Sequence, residues 1–294
     1  MSSKGRRRLL GVISGLLLVS PSVIATAPAS AASTCPNYEL LVVRGSGETL
    51  TDGYHGYGHT MLDFVQHVGP DLSALYTAAG QPAPTIISRE VDYPAIPVNF
   101  TQVSYASNYA KSVAAGKQAL VAAINTLLQG PCGYNSQGIS QTSLIIGGYS
   151  QGAQVVGDVA ETFPITLLPS IRATVLIADP RFKGAQSQIN AGNYNAKLNG
   201  IATHTDGTRP IATVGAWEHS YCQDLDPVCN FTLGNAKFCV QHMASCPHLH
   251  YWDWFDSGQT FTAEAAQWAA HIAVYPGCGF PPVVGAGPSR PNGC

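Results

Sequence analysis

Charge is scarce in this sequence: Asp, Glu, Lys and Arg together make up 11% of its 294 residues. A surface so short of ionised groups must be covered by Ser, Thr, Asn, Gln and Gly, which suits an exported protein. The eight cysteines include no C-x-x-C pair, so the commonest zinc-ligand spacing is missing and no metal is expected. No internal repeat is visible. Nor is there an apolar run of membrane-spanning length. The N-terminal stretch Leu9–Val19 is soon broken by Pro21 and Ser22, well under the roughly 20 apolar residues that a spanning helix needs.

That stretch reads instead as the centre of a signal peptide over residues 1–31. Lys4 and Arg6 to Arg8 form the positive n-region, and Ala29-Ser30-Ala31 supplies small residues for cleavage. Arg6-Arg7 ahead of Leu9-Leu10 leaves twin-arginine and Sec export both open. Removing residues 1–31 takes four of the 15 basic residues and none of the 17 acidic ones, leaving 11 against 17, a net charge of −6. That balance argues against nucleic acid or an anionic membrane surface as the main partner. The remainder fits one large domain, residues 32–276, and a Gly/Pro-rich tail, residues 277–294. All eight cysteines (Cys35, Cys132, Cys222, Cys229, Cys239, Cys246, Cys278 and Cys294) follow the leader. An even count in an exported chain reads as four disulfides, and the count alone leaves about 105 pairings open. The tail lacks periodicity and is bracketed by Cys278 and Cys294, as expected of a stapled appendage.

Strand-like and helix-like segments alternate. Strands are expected at 38–45, 83–93, 142–148, 172–180 and, briefly, 219–223. Helices are expected at 60–80, 107–130, 152–163 and 262–275. This order predicts an α/β fold, a three-layer α/β/α sandwich on a mostly parallel five-stranded sheet. The continuously apolar 142–148 belongs at its centre.

Directly after that strand comes "GGYSQGAQVV", in which Gly148-Tyr149-Ser150-Gln151-Gly152 matches G-x-S-x-G. In this motif the chain turns sharply from strand to helix and lifts the serine above the sheet edge, and glycines leave room for the turn. The alternative is a Gly-rich turn with an N-capping serine. A serine hydroxyl is a poor nucleophile at neutral pH and needs a His base, itself oriented by an acid. In this kind of fold the order is Ser, acid, His. The downstream histidines are His204, His219, His242, His248, His250 and His271, and the acids include Asp158, Asp179, Asp206, Asp224, Asp226, Asp253 and Asp256. His271 lies mid-helix on an apolar run and suits packing. Asp179 ends a strand just after the serine unit and is a serious rival for the acid. His55 and His59 in "DGYHGYGHT" lack a third ligand at fitting spacing and suit a loop rimming a cleft.

Four stretches together carry a resemblance to the cutinase family of small α/β-hydrolase serine esterases: "RGSGET" (44–49), "GGYSQGA" (147–153), "CQDLDPVC" (222–229) and "PHLHY" (247–251). The resemblance implies a secreted esterase with Ser150 as nucleophile, Asp226 as acid and His248 as base, and activity falling as His248 protonates below about pH 6–7. The oxyanion hole would be the N–H of Gln151 with the N–H and hydroxyl of Ser46. No cofactor is implied, and the partner is an ester substrate: polyester, lipid or acetylated polysaccharide. The non-enzyme alternative is a catalytically silent secreted binding protein that keeps the fold, against which intact candidates for every catalytic role argue. A monomer is expected. The resemblance further implies the pairs Cys35–Cys132 and Cys222–Cys229. Between Asp226 and His248 lie 21 residues, more than expected of the compact fungal members, and Cys239 and Cys246 within them are expected to pair, leaving Cys278–Cys294. This stapled insertion suits either a flap or a plain surface loop. On an extended segment His250 would point the same way as His248, and Asp224 competes with Asp226. The aromatics Tyr251, Trp252, Trp254 and Phe255 are expected to be core, with an apolar acyl or sugar platform as the alternative.

Overall fold

In the computed structural model, which describes residues 35–51, 53–98, 105–136, 140–163, 168–203, 217–256 and 258–276, the first strand is β1 (Tyr38–Val43), and all six of its residues are buried. The expected leader and the tail, with Cys278 and Cys294, lie outside the described residues, as do His204 and Asp206. After β1 come α1 (His59–Ala78), β2 (Ile86–Glu90), α2 (Tyr105–Gln129), β3 (Ser143–Tyr149), α3 (Gln151–Ala160), β4 (Ile171–Ile177), β5 (Asn190–Ala191) and β6 (Glu218–Tyr221). Then follow α4 (Leu233–Gln241), a small hairpin of β7 (Phe255–Asp256) and β8 (Gln259–Thr260), and α5 (Phe261–Val274).

The sheet runs β2-β1-β3-β4-β6-β5 with every pairing parallel. Alternation along the buried strands builds two cores. Leu40 and Val42 of β1, Ile145 of β3 and Val175 of β4 face one way and pack on Met61, Phe64 and Val68 of α1 and Trp268 of α5. Their neighbours Leu41, Val43, Leu144 and Ile146 face the other way, onto Val113, Leu120 and Ile124 of α2 and Val155 and Val159 of α3. Each fully buried side chain of this size contributes roughly 1.5–3 kcal/mol. Because both faces are covered, the central strands read as apolar throughout.

The sheet has six strands where five were expected. The sixth, β5, is a two-residue edge strand set by Asn190↔Ser220 and Ala191↔Tyr221. It lies in a polar segment with no alternation, so no hydrophobic pattern could mark it. Helix α4 was also not anticipated. Its start had a signal in Thr232, whose side chain accepts from Asn235 N–H at 2.9 Å as an N-cap.

The strand order matters for function. After β1 the chain moves outward to β2, then returns to the other side of β1 to lay down β3 and moves on to β4. Where the order reverses, between the carboxyl ends of β1 and β3, a crevice opens, the usual place for a site in such sheets. The loop carrying Ser46 leaves β1 there, and Ser150 follows β3.

Candidate active site

Ser150 sits in the left-handed region, with φ 55° and ψ −119°. For a residue with a Cβ this conformation costs on the order of 1–3 kcal/mol, which the surroundings must hold in place. They do so at both ends: Ser150 N–H donates to the Ile177 carbonyl of β4 at 2.8 Å, and its own carbonyl accepts from Gln154 N–H at 3.1 Å. The flanking glycines are required by space. A Cβ on Gly148 would stand 2.4 Å from the Gly152 carbonyl oxygen, and one on Gly152 would stand 2.1 Å from that of Val43. Ser150 is 6% exposed. Gln151 is fully buried, and its side-chain oxygen accepts from Ser112 Oγ at 3.0 Å, tying the first turn of α3 to α2. That anchoring role was missed in reading the motif.

His248 faces Ser150 across 98 residues of chain, with Nε2 at 3.0 Å from Oγ. Its Nδ1 stands 3.1 Å from both carboxylate oxygens of Asp226. With Nδ1–H donated to the carboxylate, Nε2 is left as the acceptor for the serine hydroxyl. Asp226 is completely buried. It also accepts from Val228 N–H at 2.7 Å and from the Tyr251 hydroxyl at 2.7 Å. The loop around it is closed by Cys222–Cys229, and Leu225 just before it takes φ 64°. The base is held from beneath: the Tyr149 hydroxyl donates to the His248 carbonyl at 2.5 Å, and the two rings stack at 5.2 Å.

The rival residues are used elsewhere. Asp224 accepts from Leu225 N–H at 2.9 Å and from the Asn230 amide, as the cap of its turn. Asp179 accepts from Arg181 N–H at 3.0 Å where β4 ends. Asp158 pairs with Lys117 and Arg181. His248 occupies a one-turn 3-10 helix, Pro247–Leu249, so the extended case in which His250 would point the same way does not arise. The tighter winding turns His250 away, to Asp253 at 2.9 Å and the Ala244 carbonyl at 2.9 Å. His219 stacks on Trp268 at 4.1 Å, and burial pushes it down to about 4. His271 is buried in α5.

Ser46 lies on the loop after β1. Its hydroxyl is buried without a hydrogen-bond partner among the described residues. The loop itself is pinned firmly. Glu48 accepts from Gly45 N–H at 2.6 Å and His59 N–H at 3.0 Å, Arg44 Nε donates to the Glu48 carbonyl at 2.9 Å, and Gly47 N–H donates to Ala95 at 2.7 Å. Gly58, at φ 72°, lets the Glu48 carboxylate lie where a Cβ would otherwise stand. His59 is sandwiched between Tyr54 at 4.6 Å and Trp252 at 3.9 Å. Of the four aromatics expected in the core, only Tyr251 is buried; Trp252 is intermediate, and Trp254 and Phe255 are exposed, Phe255 by 71%. Phe255 belongs to the short β7–β8 hairpin, which is a separate two-stranded sheet outside the main one. The three disulfides among the described residues are Cys35–Cys132, Cys222–Cys229 and Cys239–Cys246. No group of three His, Cys, Asp or Glu among those residues is placed to hold a metal ion. No described helix is long and apolar enough to cross a membrane.

Comparison with known proteins identifies relatives of the chain and of its fold. A cutinase from Botryotinia fuckeliana is 29% identical over 170 residues, spanning 58% of this chain and 69% of its own. Two solved structures share the fold: a cutinase-like protein from Cryptococcus sp. (TM-score 0.51, 20% identity, 82% of this chain and 97% of that one) and an acetylxylan esterase (TM-score 0.51, 20% identity, 81% and 99%). The family model for cutinase matches residues 34–271, most of the chain, and the chain therefore belongs to the cutinase family of ester hydrolases.

Proposed function

We propose that the protein is a secreted serine esterase in which Ser150, His248 and Asp226 form the catalytic triad. The observation that carries this reading is the imidazole of His248, which bridges the Ser150 hydroxyl and the buried Asp226 carboxylate through its two nitrogens. Ser150 Oγ attacks the ester carbonyl while His248 Nε2 takes its proton. Asp226 keeps the imidazole in the right tautomer and stabilises the imidazolium that forms. The Gln151 N–H, at the start of α3, and the Ser46 N–H and hydroxyl receive the oxyanion. His248 then protonates the leaving alcohol, and water, activated by the same imidazole, hydrolyses the acyl-enzyme. Removing one oxyanion donor in comparable sites costs roughly 3–4 kcal/mol.

An aliphatic ester is the substrate favoured here. Leu225 and Leu249, next in sequence to the acid and the base, are 48% and 42% exposed, and apolar surface on these two segments favours an apolar acyl chain. Acetylated polysaccharide is the second reading, motivated by the fold shared with an acetylxylan esterase. Export through a leader at residues 1–31 fits a chain with three disulfides among its described residues. A monomeric domain over 32–276 and a tail stapled by Cys278–Cys294 complete the proposal.

A fluorophosphonate probe tests the nucleophile. The wild type is expected to label and to hydrolyse nitrophenyl esters, and Ser150→Ala to do neither. A wild type that neither labels nor turns over refutes the esterase. A chain-length series of nitrophenyl esters separates the substrate classes, because a sharp preference for acetyl would favour the polysaccharide.

A further inference from the structure

Besides the Val228 N–H, Asp226 has a side-chain donor that the triad chemistry does not require. The hydroxyl of Tyr251, a fully buried side chain, donates to Oδ2 at 2.7 Å. This phenol is itself fixed on all sides. Gln223 N–H donates to it at 2.9 Å, Cys229 Sγ of the disulfide lies 3.3 Å away, and its ring packs edge-on against Tyr149 and Phe261. The hydroxyl has a single proton. With Gln223 N–H supplying a donor, that proton goes to the carboxylate. Burial, and then the charge of Asp226, push the phenol well above its ordinary range, so it stays protonated at any working pH.

A hydrogen bond to an ionised group is among the stronger kinds and draws charge away from the oxygen that accepts it. Less charge on the carboxylate means less stabilisation of the imidazolium on the other side. We propose that Tyr251 is a positioning residue of the esterase site, whose hydroxyl orients Asp226 and sets how strongly that carboxylate supports His248 through the catalytic cycle. This rests on the triad assigned above.

The groups facing His248 are Ser150 from the elbow, Asp226 from the disulfide loop and Tyr149 from β3. Glu48 from the oxyanion loop acts on Tyr149 through its charge. Removing the Tyr251 hydroxyl alone takes a donor from Asp226 and an acceptor from Gln223 N–H and leaves Ser150, Tyr149 and Glu48 chemically as they were, so a change in proton affinity can be traced to the lost bond to Asp226.

The test compares Tyr251→Phe and a chain with 3-fluorotyrosine at position 251 against the full-length wild type. In Tyr251→Phe the carboxylate keeps more charge and the imidazolium is favoured. The acid limb of kcat/KM is then expected to move to higher pH by on the order of 0.5 unit. kcat should drop while KM is held. The fluorinated phenol is a stronger donor and is expected to move the limb the other way. A readout independent of turnover is the low-field proton resonance of His248 Nδ1–H. It should move downfield in Tyr251→Phe and upfield with fluorotyrosine. A purely structural role would lower Tm but produce no such opposed shifts. Unchanged pH limb and resonance in folded Tyr251→Phe overturn the proposal. Should that variant fail to fold, an unshifted fluorotyrosine chain overturns it instead. If the wild type proves inactive, the esterase reading falls on that result alone, and the proton resonance still decides whether Tyr251 tunes the His248–Asp226 pair.

Discussion

Ser46→Ala is expected to separate activity from stability. The Ser46 hydroxyl is buried and has no partner among the described residues, although its loop is tied at Gly45, Gly47 and Glu48. A buried hydroxyl without a partner costs about 1–3 kcal/mol of desolvation in the free enzyme. If it awaits an oxyanion, that cost is recovered only in the transition state. Alanine keeps the backbone N–H and the loop and removes only the hydroxyl. Turnover of a nitrophenyl ester should therefore fall by about 10²–10³ in kcat, equivalent to roughly 2.7–4 kcal/mol, with little change in KM. Thermal unfolding should show no loss. A gain of about 1 kcal/mol would appear as roughly 2–4 °C in Tm for a domain of this size. The two measurements are made on one preparation. A kcat within about fivefold of wild type, or a clear fall in Tm, would refute the reasoning, since either would mean that the hydroxyl is satisfied in the free enzyme or takes no part in the transition state.

Two further outcomes follow from particular contacts. Cys222–Cys229 and Cys239–Cys246 each close a loop of the same length, with a sequence separation of 7, so chain entropy assigns each about 2.5 kcal/mol. Replacing either pair with serines should cost similar stability in denaturant melts, but turnover should fall further without Cys222–Cys229, because that bond frames Asp226 and touches the Tyr251 hydroxyl; equal kinetic losses would count against that role. His219 is held neutral down to about 4 by burial. The unfolded chain protonates it near its ordinary value of about 6.5, so the unfolded state binds more protons in between and stability falls as pH drops from about 6.5 to 4, by at most about 3 kcal/mol. His219→Gln should flatten that slope in pH-dependent melts, and an unchanged slope would show that other groups carry it.

The sequence by itself determined the order of the large elements, because each strand or helix must bury an apolar face and so carries its period in the chain. The expected helix at 107–130 became α2 at Tyr105–Gln129, and the expected strand at 142–148 became β3 at Ser143–Tyr149. It also determined that Gly148 and Gly152 flank a serine in a strand-to-helix turn, since no other residue type leaves room for carbonyls at 2.4 and 2.1 Å. It did not determine β5, which is held by backbone pairing at a sheet edge, or the exposure of Phe255, which depends on what the neighbouring chain leaves uncovered. Choosing among the downstream acids and histidines was likewise beyond spacing alone. Asp179 and Asp226 both end near strands, and His248 and His250 are two residues apart. The resemblance named Asp226 and His248, and the tertiary structure supplies the contacts by which that pair meets Ser150. The 3-10 turn at Pro247–Leu249 parts the two histidines, and the buried loop between Cys222 and Cys229 carries Asp226 to 3.1 Å from His248. Hydrogen bonds between groups 22 and 98 residues apart exist only once the sheet has brought its carboxyl ends together.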